Sequence, residues 1–124
     1  MTRTAKTIRA FGAYLIVLSL CLIVAPNLLL PLFGMPTTTE VWIRVAGVVV
    51  LNEGVCYWFA AQSDARPFFR ASCVVRTLVP IAFGAFVLAG WAAPMLIGFG
   101  LVDLAGAAWT FLTMRAETRT AVKA

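Results

Sequence analysis

Apolar residues run almost unbroken through four stretches of the chain, at about positions 11–33, 41–62, 68–90 and 94–114. About 20 such residues in a helix, rising about 1.5 Å each, cross the roughly 30 Å hydrocarbon core of a bilayer. The pattern therefore predicts an all-α protein, an integral membrane four-helix bundle of up-down-up-down topology occupying 1–124 as a single domain. Prolines and glycines divide the spans. Pro26 and Pro31 predict a kink or ragged end near Ala25-Pro26-Asn27, with Asn27 beside a partly freed backbone. Gly34-Met35-Pro36 reads as a turn, and Thr37, Thr38, Thr39 and Glu40 as capping groups for the second helix. Residues 63–67 form the one plainly polar connection. Pro80 interrupts the third span and removes the donor to the carbonyl of Arg76. The fourth span is rich in small residues, with Gly106-x-x-x-Thr110 as a close-packing pattern.

Composition strengthens the membrane reading: 62% of the 124 residues are hydrophobic and 12% charged, against about 45–50% and about 25% in soluble domains. No room remains for a soluble catalytic domain. The net charge of +5 is not a nucleic-acid footprint, because the cations cluster at span ends and no binding motif accompanies them. Arg3, Lys6 and Arg9 precede the first span, Arg66 and Arg70 lie at the middle connection, and Arg115, Arg119 and Lys123 follow the last. The other two connections lack Lys and Arg, so the positive-inside rule puts both termini in the cytoplasm. The first segment reads as a span and not a cleaved leader, since its apolar run is long enough to cross and no A-x-A site closes it. The expected location is a bacterial cytoplasmic (inner) membrane, multi-pass.

Trp42, Trp91, Trp109 and Tyr14 read as interfacial anchors. Cys21, Cys56 and Cys73 are odd in number and widely spaced, with no CxxC motif, and are expected to pack as small residues. There is no His. No metal site and no cofactor is expected.

Glu53, Arg76 and Asp103 break the apolar runs. An ion in hydrocarbon costs several kcal/mol unless it is paired or wetted, so such residues face a bundle interior. By the helix rise they lie about 12, 10 and 16 Å from the cytoplasmic side, three ions from three helices in one slab. One reading pairs Arg76 with Glu53, Asp103 or both as an interior salt bridge. The other has them line a polar cavity opening toward the cytoplasmic half, where a carboxylate handles a proton or grips a ligand. Asn52 joins this ligand-binding or proton-handling set, with Ser19, Cys21 and Tyr57 as lining. Asn27 and Arg44 form an outer polar pair, Arg44 being expected to snorkel to the headgroups.

The helix ending Ala25-Pro26-Asn27-Leu28-Leu29-Leu30, the following Val41-Trp42-Ile43-Arg44-Val45-Ala46-Gly47 and a third helix with an early Arg resemble the DoxX-like group of small bacterial four-helix membrane proteins. That resemblance implies an inner-membrane bundle, in some members an accessory subunit of a quinone-linked oxidoreductase, and assigns no catalytic residue. The architecture is also similar to sterol-isomerase-like bundles with carboxylates in a membrane cavity. Small multidrug transporters share the length but place a carboxylate in the first helix, which this chain lacks.

Three functions follow. The first is binding of an amphipathic, lipid-like or quinone-like ligand at the charged cluster, or service as accessory subunit to a membrane partner. The second is an oligomeric proton-coupled transporter or channel using Glu53 or Asp103, working as a homo-oligomer. The third is a lipid-modifying enzyme such as an isomerase, with a carboxylate as general acid or base and Arg76 stabilising an anion.

Overall fold

A computed structural model describes residues 1–124. It is all-helical: α1 is Arg3–Val24, the one-turn α2 is Pro26–Leu29 running into a 3₁₀ turn at Leu30–Phe33, α3 is Trp42–Gln62, α4 is Arg66–Leu88 and α5 is Leu96–Lys123. Helices α1, α3, α4 and α5 are each long and apolar enough to cross a membrane. The chain thus has the character of a multi-pass membrane helix bundle.

The helices and the apolar runs do not coincide at the chain ends. Helix α1 starts eight residues before its apolar run, because the Thr2 hydroxyl accepts the Ala5 N–H at 3.1 Å and caps the first turn. Thr4, Ala5, Thr7 and Ile8 in that basic flank are buried. Helix α5 continues nine residues past Met114, for a length of about 42 Å, so its last turns project beyond any apolar slab. Hydropathy marks what lipid tolerates and not where a helix stops.

Helix α1 ends where expected. Pro26 has no N–H to give, and the chain restarts as α2 with Pro26 in its first turn. Gly34 then turns the chain at φ 67°, a left-handed backbone that favours glycine. The expected capping of α3 is not found. Val41 is its N-cap with no side-chain bond and no acid in the first turn, while the Thr38 hydroxyl accepts the Glu40 N–H within the preceding loop.

Helix α1 lies along α3, α4 lies along α5, and α1 joins the two pairs through α5; α3 makes no extensive contact with α4 or α5. Glycines set the first pairing. A Cβ at Gly12 would sit 3.1 Å from the Gly54 carbonyl, one at Gly54 would sit 2.9 Å from Ile16 Cγ1, and one at Gly47 2.8 Å from Ile23 Cγ1. Close backbone approach through small residues is the membrane substitute for hydrophobic collapse. It was expected of α5, yet the α1–α3 crossing uses it most. In α5, Gly100 and Gly106 face Pro80 and Phe11, while Gly98 faces open space.

The tightly packed core sits at one end of the bundle, where Thr2, Asp64 and Glu117 meet, called here the terminal end. There Ala5, Ile8, Phe11, Leu15, Tyr57, Ala60, Ala61 and Phe69 pack into one cluster. Trp42, Trp91 and Trp109 point outward. Beyond the cluster, toward the opposite end where residues 34–41 and 89–95 connect the helices, called here the loop end, the bundle encloses a cavity.

Candidate functional site

Arg76 sits on top of the packed core and is 1% exposed. Its Nε donates to the Ser72 carbonyl at 3.3 Å, and its Nη2 donates to Ser72 Oγ at 3.2 Å and to Thr110 Oγ1 at 3.0 Å. The guanidinium carbon lies 4.5 Å from the Phe11 ring centre and 5.6 Å from that of Tyr57. Two aromatic faces thus stand in for part of the hydration a cation loses on burial. A Cβ on Gly106 would lie 3.1 Å from Arg76 Nη1, so the missing side chain there makes room for the guanidinium.

The anchoring of Arg76 continues as a chain of hydroxyls. Thr110 Oγ1 and Thr7 Oγ1 are 2.9 Å apart, and Thr7 Oγ1 donates to the Thr4 carbonyl at 2.8 Å. Because Thr7 has one hydroxyl proton and gives it to that carbonyl, Thr110 supplies the proton between the two threonines. Thr4, Thr7 and Thr110 are buried. Thr4 then bonds Glu117 with both its hydroxyl, at 2.7 Å, and its amide, at 3.0 Å. Glu117 pairs with Arg66 at 2.9 Å, and Arg66 with Asp64 at 3.2 Å. A continuous polar path runs from mid-span to the terminal end.

Glu117 lies beyond the apolar part of α5. Burial pushes its carboxyl up, but the Thr4 hydroxyl and amide and the Arg66 guanidinium outweigh that and hold it below the ordinary glutamate value.

Glu53, Arg76 and Asp103 line a single cavity of about 370 Å³. Pairing is not what unites them: the ion pairs of the fold are those of Arg66, and Arg76 forms none with either acid. Neither carboxylate receives a hydrogen bond from the chain, and Arg76 Nη1 is buried without an acceptor. Ser72 and Thr110 take Nε and Nη2 of the guanidinium, and Nη1 has neither carboxylate within ion-pair distance.

The cavity is mainly apolar, where a polar one was expected. Of its 19 lining residues 16 are hydrophobic, among them Leu22, Leu29, Phe33, Ile43, Phe83 and Phe99 from the loop-end half of the bundle. The charges are its floor. The packed aromatic core closes the terminal side beneath Arg76, so the void extends the other way. Ala46 and Glu53 on α3 and Val75 on α4 are lining residues that are also exposed. They lie on α3 and α4, which barely touch one another.

Other expected site residues fall elsewhere. Asn52 is exposed on α3, off the cavity, because it is about 100° around the helix from Glu53. Ser19 is buried and donates to the Ile16 carbonyl at 2.6 Å. Cys21 and Cys56 are exposed and Cys73 is buried, so only Cys73 packs as expected. Tyr57 supports Arg76 from below, while Tyr14, expected as an interfacial anchor, lines the cavity. Asn27 and Arg44 do not bond each other: Asn27 bridges the N–H and carbonyl of Thr38 at 2.9 and 3.0 Å. Arg44 Nη1 donates to the Ile23 carbonyl and at 3.4 Å to that of Val24, at the end of α1 that precedes Pro26.

Sequence reading missed Ser72, Thr110, Thr7 and Phe11 as the holders of Arg76. One signal was available, since Ser72 precedes Arg76 by four residues and so shares its helix face. The threonines at 7 and 110 are joined only by tertiary structure.

A helical bundle with four membrane-length helices around a cavity floored by three ionisable groups is the class that fold and site define. Comparison of the chain with protein-family models, curated proteins and solved structures yields no match.

Proposed function

We propose that this chain binds a small amphipathic, lipid-like or quinone-like molecule, which enters from the bilayer through the gap between α3 and α4 and rests its polar end on Glu53, Arg76 and Asp103. One observation carries the reading: three ionisable groups face one apolar cavity with hydrogen-bonding capacity that the chain does not meet, two carboxylates lacking donors and one guanidinium nitrogen lacking an acceptor. Arg76 is buried, and buried polar groups normally find partners, while for Glu53 and Asp103 an unpaired ion at mid-span depth is costly. A ligand offering a hydroxyl or amine donor to the acids and an oxygen acceptor to Arg76 supplies what is missing. The volume, about 370 Å³, is at the lower end of ligand sites and holds roughly a dozen water-sized units. That admits a short acyl or isoprenoid segment and not a whole phospholipid.

This reading places the protein in a bacterial inner membrane as an up-down-up-down bundle with both termini cytoplasmic, the orientation its Lys and Arg distribution supports. Accessory service to a membrane partner through the same gap is compatible with it, as is the DoxX-like resemblance.

The test is mass spectrometry of organic extracts from protein purified in native-lipid nanodiscs. A discrete apolar molecule is expected to accompany the wild type stoichiometrically and to be lost from Ala46→Trp, which fills the gap from α3. An empty wild-type preparation, or equal retention in the variant, refutes the proposal. A second reading, proton-coupled transport, draws on the same unpartnered acids. It requires proton-driven flux in liposomes that disappears in Glu53→Gln.

A further inference from the structure

A second groove lies at the terminal end, outside the bundle, between α4 and α5. It encloses about 870 Å³, and its cations are Arg70 of α4 with Arg115, Arg119 and Lys123 of α5. The three on α5 are four residues apart, so they form one ridge at intervals of about 6 Å. Like charges so spaced repel one another on a bare helix. No acid lines the groove to offset them. All five acids of the chain are elsewhere: Asp64 and Glu117 are held by Arg66, Glu53 and Asp103 line the inner cavity, and Glu40 precedes α3 at the opposite end. Four cations in one groove thus lack a counter-charge within the chain.

The remainder of the groove is apolar and open. Val74 and Phe111 line it, and they are 61% and 52% exposed. These two are on the mid-span side of the groove, whereas Arg119 and Lys123 are in the last turns of α5. An occupant must therefore carry negative charge toward the terminal end and hydrocarbon along the span. A free phosphate or a soluble acidic peptide satisfies the cations and leaves Phe111 and Val74 uncovered. An anionic phospholipid matches both parts, as basic pockets between helices at a membrane surface do elsewhere.

We propose that the α4–α5 groove is a specific site for an anionic phospholipid, its phosphate held by Arg70, Arg115, Arg119 and Lys123 and an acyl chain laid over Val74 and Phe111. The site is separate from the inner cavity and does not depend on its ligand.

The experiment titrates the full chain in neutral detergent with phosphatidylglycerol, phosphatidylcholine or inorganic phosphate, and reads bound lipid by native mass spectrometry. Phosphatidylglycerol is expected to bind saturably, with phosphatidylcholine at least tenfold weaker and inorganic phosphate failing to displace it. Each cation near an anionic lipid surface is worth about fivefold in affinity, so Arg115→Gln with Arg119→Gln weakens binding about 25-fold. Removing two charges that do not line the groove, by Arg3→Gln with Lys6→Gln, leaves affinity within about twofold. Equal losses in the two double variants overturn the proposal, because only net charge then matters. So does displacement by phosphate, which marks a free-anion site, or equal binding of the two lipids. Both variants alter side chains at helix ends, and unchanged thermal melting confirms that each is folded before titration.

Discussion

Thr110→Val tests how Arg76 is held in mid-span. Valine keeps the shape of threonine and removes the acceptor that Arg76 Nη2 meets at 3.0 Å together with the donor to Thr7 at 2.9 Å. A hydrogen bond to a charged group is worth about 1.5–3 kcal/mol where unfolding exposes it to water. Within membrane bundles, side-chain bonds average about 0.6 kcal/mol and reach about 1.7, because unfolded helices in lipid find other partners. Ser72 Oγ remains on the same nitrogen, so the membrane values apply: about 1 kcal/mol for the charged bond and about 0.6 for the neutral one. Thr110→Val should thus cost about 1.6 kcal/mol. In an Arg76→Met background only the neutral bond is lost, leaving a coupling of about 1 kcal/mol. Arg76→Met itself should stay within about 1 kcal/mol of the parent, since it gives up two aromatic contacts and three hydrogen bonds but removes a desolvated cation with one nitrogen unmet. The assay is reversible unfolding in mixed detergent micelles, followed by tryptophan fluorescence for all four proteins. A coupling below about 0.3 kcal/mol would show that Thr110 does not hold Arg76, and the account of the buried cation would fail.

Gly100→Ala should lower stability by about 1–3 kcal/mol, because its Cβ would sit 2.7 Å from Pro80 Cα, a backbone atom that cannot swing aside. Gly84→Ala and Gly98→Ala, which meet nothing within 4 Å, should be neutral or gain up to about 1 kcal/mol; thermal melts of the three decide. The folded-state carboxyl of Glu117 is held below its ordinary value of 4.5, so the native state binds fewer protons than the unfolded one near that value. Its stabilisation is therefore full above about pH 5 and is lost as pH falls through the folded value, so wild type and Glu117→Gln should differ at pH 7 and converge in acid. A constant difference across that range would assign the effect to shape. Arg44→Met should uncap α1 at a cost of about 1 kcal/mol, seen as roughly fivefold faster amide exchange over residues 25–30; unchanged exchange would mean that Arg44 is not the cap.

The spans were legible because lipid imposes one requirement, long apolar runs, on every residue that touches it. For α3 and α4 the run and the helix agree within about two residues. They part at Arg3–Arg9 and beyond Met114, where capping and buried threonines extend the helix without hydropathy. Convergence of Glu53, Arg76 and Asp103 on one level was readable from the helix rise alone. The partners of Arg76 were not, since spacing states depth and leaves the azimuth of a neighbouring helix open. Ser72 and Thr110 hold Nε and Nη2 of the guanidinium, and neither carboxylate reaches Nη1. The apolar character of the cavity and its place beyond the packed core were not legible for a related reason. Phe11, Tyr57 and Phe69 close the terminal side, and nothing in the sequence signals that these aromatics from three helices meet.

The central claim is that the three mid-span charges floor a cavity reached sideways from the bilayer between α3 and α4. Photolabelling with a diazirine-bearing fatty alcohol, in nanodiscs and with peptide mapping, tests it directly. Adducts concentrated at Glu53, Val75 and Asp103, competed by excess unlabelled alcohol and absent from Ala46→Trp, are the expected result. Adducts spread instead over the outward residues Val48, Leu78 and Leu112, without competition, would contradict it.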